Sequence, residues 1–192
     1  MTLTTTYFGN VAWYWELVHA KQPVYIEACE NYVKQTMRNR CVIATANGTQ
    51  TLSVPVESAR SAEQKGAMTI RDVRISDHNN WRHQHWQALS SAYGSSPFFE
   101  FYADDIAPFF EKKWDFLFDY NMEIMHKMCE LIDISPDIQL TETYDSSPVS
   151  PSGSSTPYYQ VFKSRHGFIP NLSILDLLFN MGPESLVWLM KN

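Results

Sequence analysis

TLTTTYFGNVAWYWELVHAKQPVYIE, residues Thr2 to Glu27, reads as strand, helix, strand. Thr2 to Phe8 is β-branched and aromatic, the composition of a strand. Gly9-Asn10 breaks it, and Asn10 is a good N-cap. Val11, Trp15 and Val18 then recur at helical steps, with Ala12 and Trp13 alongside, which predicts a short amphipathic helix to about Ala20. Gln22-Pro23 ends it, and Val24 to Glu27 is the second strand. Such a unit is the opening of a parallel α/β sheet. Both strands end on one edge, where open α/β sheets bind ligands.

The chain leaves that edge through Lys34-Gln35-Thr36-Met37-Arg38-Asn39-Arg40. Three of the chain's 15 Lys and Arg residues fall here, although the formal net charge is −6. If Arg38 enters the next strand, alternation puts Arg38 and Arg40 on one face and Asn39 on the other. Two guanidinium forks side by side match a phosphate or carboxylate, and Lys34 adds a point charge. A helix N-terminus nearby would favour the same anion. The other reading is a solvated basic edge that discourages strand-to-strand association.

Onward from the loop, Cys41 to Ala46 predicts a strand, and Asn47-Gly48 a hairpin turn with Thr51 to Val56 returning antiparallel. Residues 57–67 read as a surface loop and Met68 to Ile75 as another strand, with Ile70, Asp72 and Arg74 on one face. Asp72 and Arg74 are either an exposed ion pair or part of the site. A helix is expected from Ser76-Asp77 to Tyr93, with Trp81, His85, Ala88, Leu89 and Ala92 on its apolar stripe. His85 there is either a core histidine with a satisfied ring or a base. Phe98 to Tyr102 is a short aromatic segment, and Asp104-Asp105 is expected to cap a following short helix. A long helix from about Lys113 to Ile132 packs through Leu117, Tyr120, Ile124, Met128 and Leu131. Ile138 to Thr143 and Tyr158 to Phe162 are strand candidates, and the Ser/Pro-rich 145–157 between them is expected to be a mobile loop. Lys163 to Asn171 reads as an ordered loop carrying Arg165 and His166. Asn171 or Ser173 caps a helix containing Asp176, Gly182 stops it, and Pro183 opens the last helix.

The expected fold is therefore α/β: one domain over 1–192, a mixed sheet opening with a β-α-β unit, helices packed on it, and a helical C-terminal half. With 44% apolar and 14% aromatic residues there is material for a full core. A pI near 5.4 argues against DNA or a large RNA footprint. Cys29, Cys41 and Cys129 have no metal spacing and cannot all pair, which suits a reducing compartment. His83 and His85 are two apart and face different sides of a helix, so no metal site is expected, and no cofactor is identified. There is no membrane-length apolar run and no signal peptide, so a cytoplasmic location is expected.

Several stretches together resemble the WbqC-like family of bacterial proteins. They are Tyr7-Phe8, Lys34-Gln35-Thr36 with Arg38-Asn39-Arg40, and Asn47-Gly48 followed by Leu52 to Val56. Trp81 with His85-Trp86, Tyr93 with Pro97-Phe98-Phe99, Phe168 to Ser173, and Asp176 to Asn180 complete the set. The resemblance spans nearly the whole chain. It implies a role in O-antigen and surface-polysaccharide synthesis. The implied activity is a transferase acting on a nucleotide-linked amino sugar, by aminoacyl (glycyl) transfer to the sugar amine. Other branches carry His-Gln-Pro ahead of Tyr-Phe; Thr4-Thr5-Thr6 stands here, so no role of that histidine carries over.

On that reading the ligand is a nucleotide-linked sugar or another anionic small molecule, and the aminoacyl donor is not identified. Asn10, Lys34, Arg38, Asn39, Arg40, Arg74, Arg165 and Asn171 are the candidate substrate- and anion-binding residues. Glu27, Glu30 or Asn31 would take ribose or sugar hydroxyls. Acyl transfer to an amine needs a base for its proton, and His166, ordered by Asp176, is the first candidate, with His85 the second. No G-x-S-x-G, Cys–His spacing or P-loop is present, so direct transfer is simpler than a covalent enzyme intermediate. The alternative is a non-catalytic module that binds a phosphosugar or a partner.

Overall fold

A computed structural model describes residues 1–57, 68–151 and 156–191. The strands are β1 (Thr2–Thr4), β2 (Val24–Glu27), β3 (Arg40–Thr45), β4 (Gly48–Ser53) and β5 (Ile138–Leu140). The helices of the first half are α1 (Val11–His19), α2 (Trp81–Tyr93), α3 (Phe99–Ile106) and α4 (Pro108–Glu111). Those of the second half are α5 (Leu117–Ile132), α6 (Lys163–His166), α7 (Ile174–Met181) and α8 (Glu184–Lys191).

The α/β class, the opening β-α-β unit and the helical C-terminal half are as the sequence predicts. β1, β2 and β5 form a parallel sheet in the order β1-β2-β5, with Leu3 opposite Ile26 and Ile26 opposite Leu140. The β3-β4 hairpin is a separate antiparallel ladder that turns at Ala46-Asn47, one residue before the expected Asn47-Gly48, with Thr45 opposite Gly48, Val42 opposite Thr51 and Arg40 opposite Ser53. Helix α1 buries Val11, Ala12, Trp13, Tyr14 and Leu17 against α7 and α8. Each large apolar side chain among these contributes about 1.5–3 kcal/mol by leaving water. Tyr7, Phe8, Trp13, Tyr93, Tyr120 and Phe179 are wholly buried at the centre of the molecule.

Several local expectations are corrected. Met68 to Ile75 is not a strand: Ile70–Asp72 is a 3-10 turn, held by Thr69 Oγ1 donating to Asp72 Oδ2 at 2.7 Å. Its flanks make single bridges to three different partners, Asn31, Val56 and Phe116, so no ladder propagates. Helix α2 begins at Trp81 because Asn79 and Asn80, at φ 66° and 48°, are left-handed. The long helix begins at Leu117 because Phe116 is extended, at φ −114° and ψ 136°, and bridges to Arg74, with Ile75 N donating to Asp115 O and Leu117 N to Val73 O, both at 2.9 Å. Tyr158 to Phe162 forms no strand: Val161 N donates to Asn180 Oδ1 at 3.0 Å, and Gln160 O and Phe162 O accept from Lys163 N and Arg165 N, each at 2.9 Å, in the helical turn that follows.

Asp104-Asp105 lies inside α3 rather than ahead of a helix, and Lys163–His166 is a helical turn rather than a loop. In the Ser/Pro-rich stretch, Asp145 N donates to Glu27 Oε2 at 2.7 Å and Val149 N to Thr2 O at 2.8 Å, while residues 152–155 lie outside the described set.

Candidate functional site

The loop from Lys34 to Arg40 turns through Gln35, at φ 62°, and is tied to the segment between β1 and α1 by Tyr7 N donating to Met37 O at 2.9 Å. Its two arginines part company. Arg38 closes on Glu30: Nε donates to Oε1 at 2.6 Å, Nη2 pairs with Oε2, and Nη1 donates to Thr36 Oγ1 at 3.2 Å. The two side chains are only 12% and 6% exposed, so each charge serves to balance the other. Arg38 and Arg40 therefore do not present paired forks to one ligand, and Glu30 is not available to a sugar hydroxyl. Asn39 is turned inward, as alternation predicts, with Nδ2 donating to Val54 O at 3.0 Å. Glu27 is also spoken for, accepting from Cys29 N, Thr141 Oγ1 and Asp145 N at 2.7–2.9 Å.

Arg40 faces a cleft of about 300 Å³ whose polar lining includes Asn10, Gln35, Thr36, Thr51, Asn171 and Ser173. Its Nε is buried and has no hydrogen-bond partner among the described residues. Strand alternation puts Arg40 and Val42 on this side, and the hairpin register sets Thr51 opposite Val42. Three predicted residues thus meet: Asn10, Arg40 and Asn171. The other predicted cations do not join them. Lys34 and Arg165 are exposed, and Arg74 lies over the Phe116 ring with Cζ 4.6 Å from its centroid.

The start of α1 adjoins this cleft, but its amides are already used. Val11 N donates to Leu172 O at 2.9 Å, Ala12 N to Asn171 Oδ1 at 3.0 Å, and Trp13 N to Asn10 Oδ1 at 2.9 Å. Helix α7 is closed reciprocally: Ile174 N donates to Gly9 O at 2.8 Å, and Ser173 Oγ accepts from Leu175 N at 3.3 Å while donating to Phe8 O at 2.8 Å. The two helix starts cap each other through the antiparallel Asn10–Ser173 bridge. Neither offers its first N–H groups to an anion, contrary to expectation. Asn10 and Asn171 spend their carbonyl oxygens on caps, which leaves the amide nitrogens as the donors they bring to the cleft.

The catalytic candidates lie apart from Arg40. His85 is 6% exposed and packs on Trp81, with ring centroids 5.1 Å apart. One ring nitrogen donates to the Ser53 backbone, so Nδ1 accepts from Tyr7 OH at 2.8 Å. Burial pushes its pKa down from 6.5 to about 4, so the ring is neutral at pH 7. The unfolded chain then binds a proton that the folded chain refuses. Stability is complete above pH 6.5 and falls as the pH drops toward about 4, with a slope of about 1.4 kcal/mol per pH unit. Urea unfolding across that window checks this: His85→Gln flattens the slope, and an unchanged slope would show that His85 is not its source.

Asp176 is fully buried and accepts from Tyr93 OH at 2.8 Å, Tyr158 OH at 2.6 Å and Gln160 Nε2 at 2.9 Å. Burial raises its pKa. It does not orient His166, which is exposed and directs Nε2 to Thr45 O at 3.2 Å and Ala46 O at 3.1 Å. Thr45 is five residues along β3 from Arg40, about 16 Å at strand rise.

A model of the WbqC-like protein family matches residues 7–152. The chain belongs to that family. It is also similar to a protein of Mycobacterium tuberculosis (strain ATCC 25618 / H37Rv) described as "Uncharacterized protein Rv1507c", 28% identical over 193 residues that cover 80% of this chain and 81% of that one. No solved structure matches. Within the stretch matched by the WbqC-like model lie Asn10, Lys34, Arg38, Asn39, Arg40, Arg74 and His85; Arg165, His166, Asn171 and Asp176 lie beyond it. So the WbqC-like cleft is assembled from both sides of that limit, Asn171 being brought to Asn10 by the capping bridge. Gln35, Thr36 and Thr51 were not named as ligand residues from sequence. Counting the hairpin back from Asn47-Gly48 would have set Thr51 opposite Ala44; only the actual turn, Ala46-Asn47, sets it opposite Val42 and next to the arginine. Among the described residues no helix is long and apolar enough to cross a membrane.

Proposed function

We propose that the Arg40 cleft holds the phosphate-bearing part of a nucleotide-linked sugar. We propose further that the chain is a transferase modifying such a precursor in surface-polysaccharide synthesis, by aminoacyl (glycyl) transfer to the sugar amine. One observation carries the binding half: a buried Arg40 Nε without a partner, in a cleft ringed by amide and hydroxyl side chains. An arginine edge held that way suits a phosphoryl oxygen, and Asn10, Asn171, Gln35 and Thr51 suit sugar or phosphate oxygens. The family supports the transferase half. In it the amine attacks the acyl carbon, a C–N bond forms, the donor's leaving group departs with its electron pair, and a base takes the amine proton. His166 would be that base for a ligand laid along β3 from Arg40 toward Thr45.

A second reading, a non-catalytic phosphosugar- or partner-binding module, is favoured by a different fact: none of His85, Asp176 and His166 lines the Arg40 cleft. Calorimetric titration with a uridine-diphosphate amino sugar tests the shared claim. Arg40→Ala is expected to weaken binding about a hundredfold; unchanged affinity rejects the site. His166→Ala then separates the two readings. Retained affinity with lost turnover supports the transferase, and turnover that survives removes His166 from the mechanism.

A further inference from the structure

A second cleft, of about 360 Å³, opens between the start of α2 and α4 and shares no lining residue with the first. Arg82, His83, Trp86, Phe110, Glu111 and Lys113 form most of its wall. Arg82 is fixed on two sides. Its Nη1 donates to Asp77 Oδ1 at 2.6 Å, and Lys113 Nζ reaches the other oxygen of that carboxylate at 2.8 Å. Its Cζ lies 4.7 Å from the Trp81 ring centroid. Its remaining edge, Nε and Nη2, is buried and has no hydrogen-bond partner among the described residues. Those two N–H groups are the parallel pair with which arginine grips a carboxylate or phosphate. A buried charged donor needs an acceptor, and this one is held rigidly while lacking it.

We propose that this cleft binds a small molecule carrying a single carboxylate on an apolar body. The carboxylate takes the Nε–Nη2 edge of Arg82, with Lys113 nearby as a second cation. A phosphate dianion fits less well, because Glu111 stands in the same wall and Asp77 already neutralises part of the positive charge. The apolar body lies against Trp86 and Phe110, whose rings are 5.7 Å apart and tilted at 34°. The first turn of α2, which no side chain caps, adds a favourable dipole for one negative charge. The left-handed Asn80 stands on the wall as well. This site does not depend on the reading of the Arg40 cleft.

Titration calorimetry of the full chain with 3-phenylpropanoate, and separately with inorganic phosphate, tests the proposal. Arg82→Lys keeps the charge and the pairing with Asp77 but removes the fork. The carboxylate is expected to bind the unsubstituted chain, about tenfold more weakly to Arg82→Lys, and equally to Arg40→Ala. Glu111→Gln, an exposed change that leaves folding alone, is expected to tighten the same probe a few-fold, about what one nearby like charge costs. No binding at millimolar carboxylate overturns the proposal. So does equal affinity in Arg82→Lys, a loss in Arg40→Ala instead, no response in Glu111→Gln, or phosphate binding more tightly than the carboxylate.

Discussion

Asp176→Ala is expected to lower the unfolding free energy by about 3–5 kcal/mol, which for a chain of this length lowers Tm by roughly 10 °C. The carboxylate is the shared acceptor of three buried donors, from Tyr93, Tyr158 and Gln160. Tyr93 OH also accepts from Ala44 N at 3.1 Å, so its proton has only Asp176 to go to. Alanine leaves all three donors in a dry interior. Asparagine helps little, because its NH2 faces either Gln160 Nε2, donor against donor, or a Tyr93 oxygen already in use. Asp176→Asn is therefore expected to cost about 2–4 kcal/mol. The pH response has its own sign. Burial raises the folded pKa above 3.8, so the folded chain binds the proton more tightly than the unfolded one, and this contribution falls as pH rises through that interval. That slope is opposite in sign to the one from His85, so the two subtract wherever their pH intervals overlap. Differential scanning calorimetry of the two variants settles the point; a Tm within a degree or two of the parent would show that the three donors find other acceptors.

Arg38→Ala and Glu30→Ala are each expected to cost about 3–5 kcal/mol, because each strands a charge in an almost dry site. The double variant should cost less than the sum, since it strands none. Ligand affinity of the folded fraction should not change. Arg40→Ala should behave in the opposite way, with affinity lost and stability nearly kept, because among the described residues Arg40 has no ion pair to break. Urea unfolding beside titration separates the cases. If Arg38→Ala loses affinity without losing stability, the division of labour between the two arginines is wrong.

What was legible in the sequence was local. The opening unit repeats at strand and helix periods over a few residues, the Asn-Gly pair marks a hairpin although its turn sits one residue earlier, and the packed face of α5 is written in steps of three and four. What was not legible is pairing across distance. Nothing in the Lys34 to Arg40 stretch says that one arginine will turn back to Glu30 while its neighbour but one does not. Met68 to Ile75 has the composition of a strand but meets a different partner at each bridge. His166 and Asp176 stand ten residues apart, which suggested a dyad. The structure instead gives the carboxylate to two tyrosines and a glutamine, and the imidazole to the carbonyls of the hairpin turn. Asn10 and Asn171 were read as ligand residues for their type, and they do reach the cleft, but their caps could be seen only once the two helix starts were brought face to face.

That reciprocal capping has a kinetic meaning. The first helix takes an end-cap from a side chain 159 positions later, and the seventh helix is anchored on the carbonyl before the first. During synthesis Asn10 can cap Trp13 N at once, but the Val11 and Ala12 N–H groups stay open to water until Asn171 and Leu172, about 160 residues later, have been made. Completion of this fold is thus a late, long-range closure.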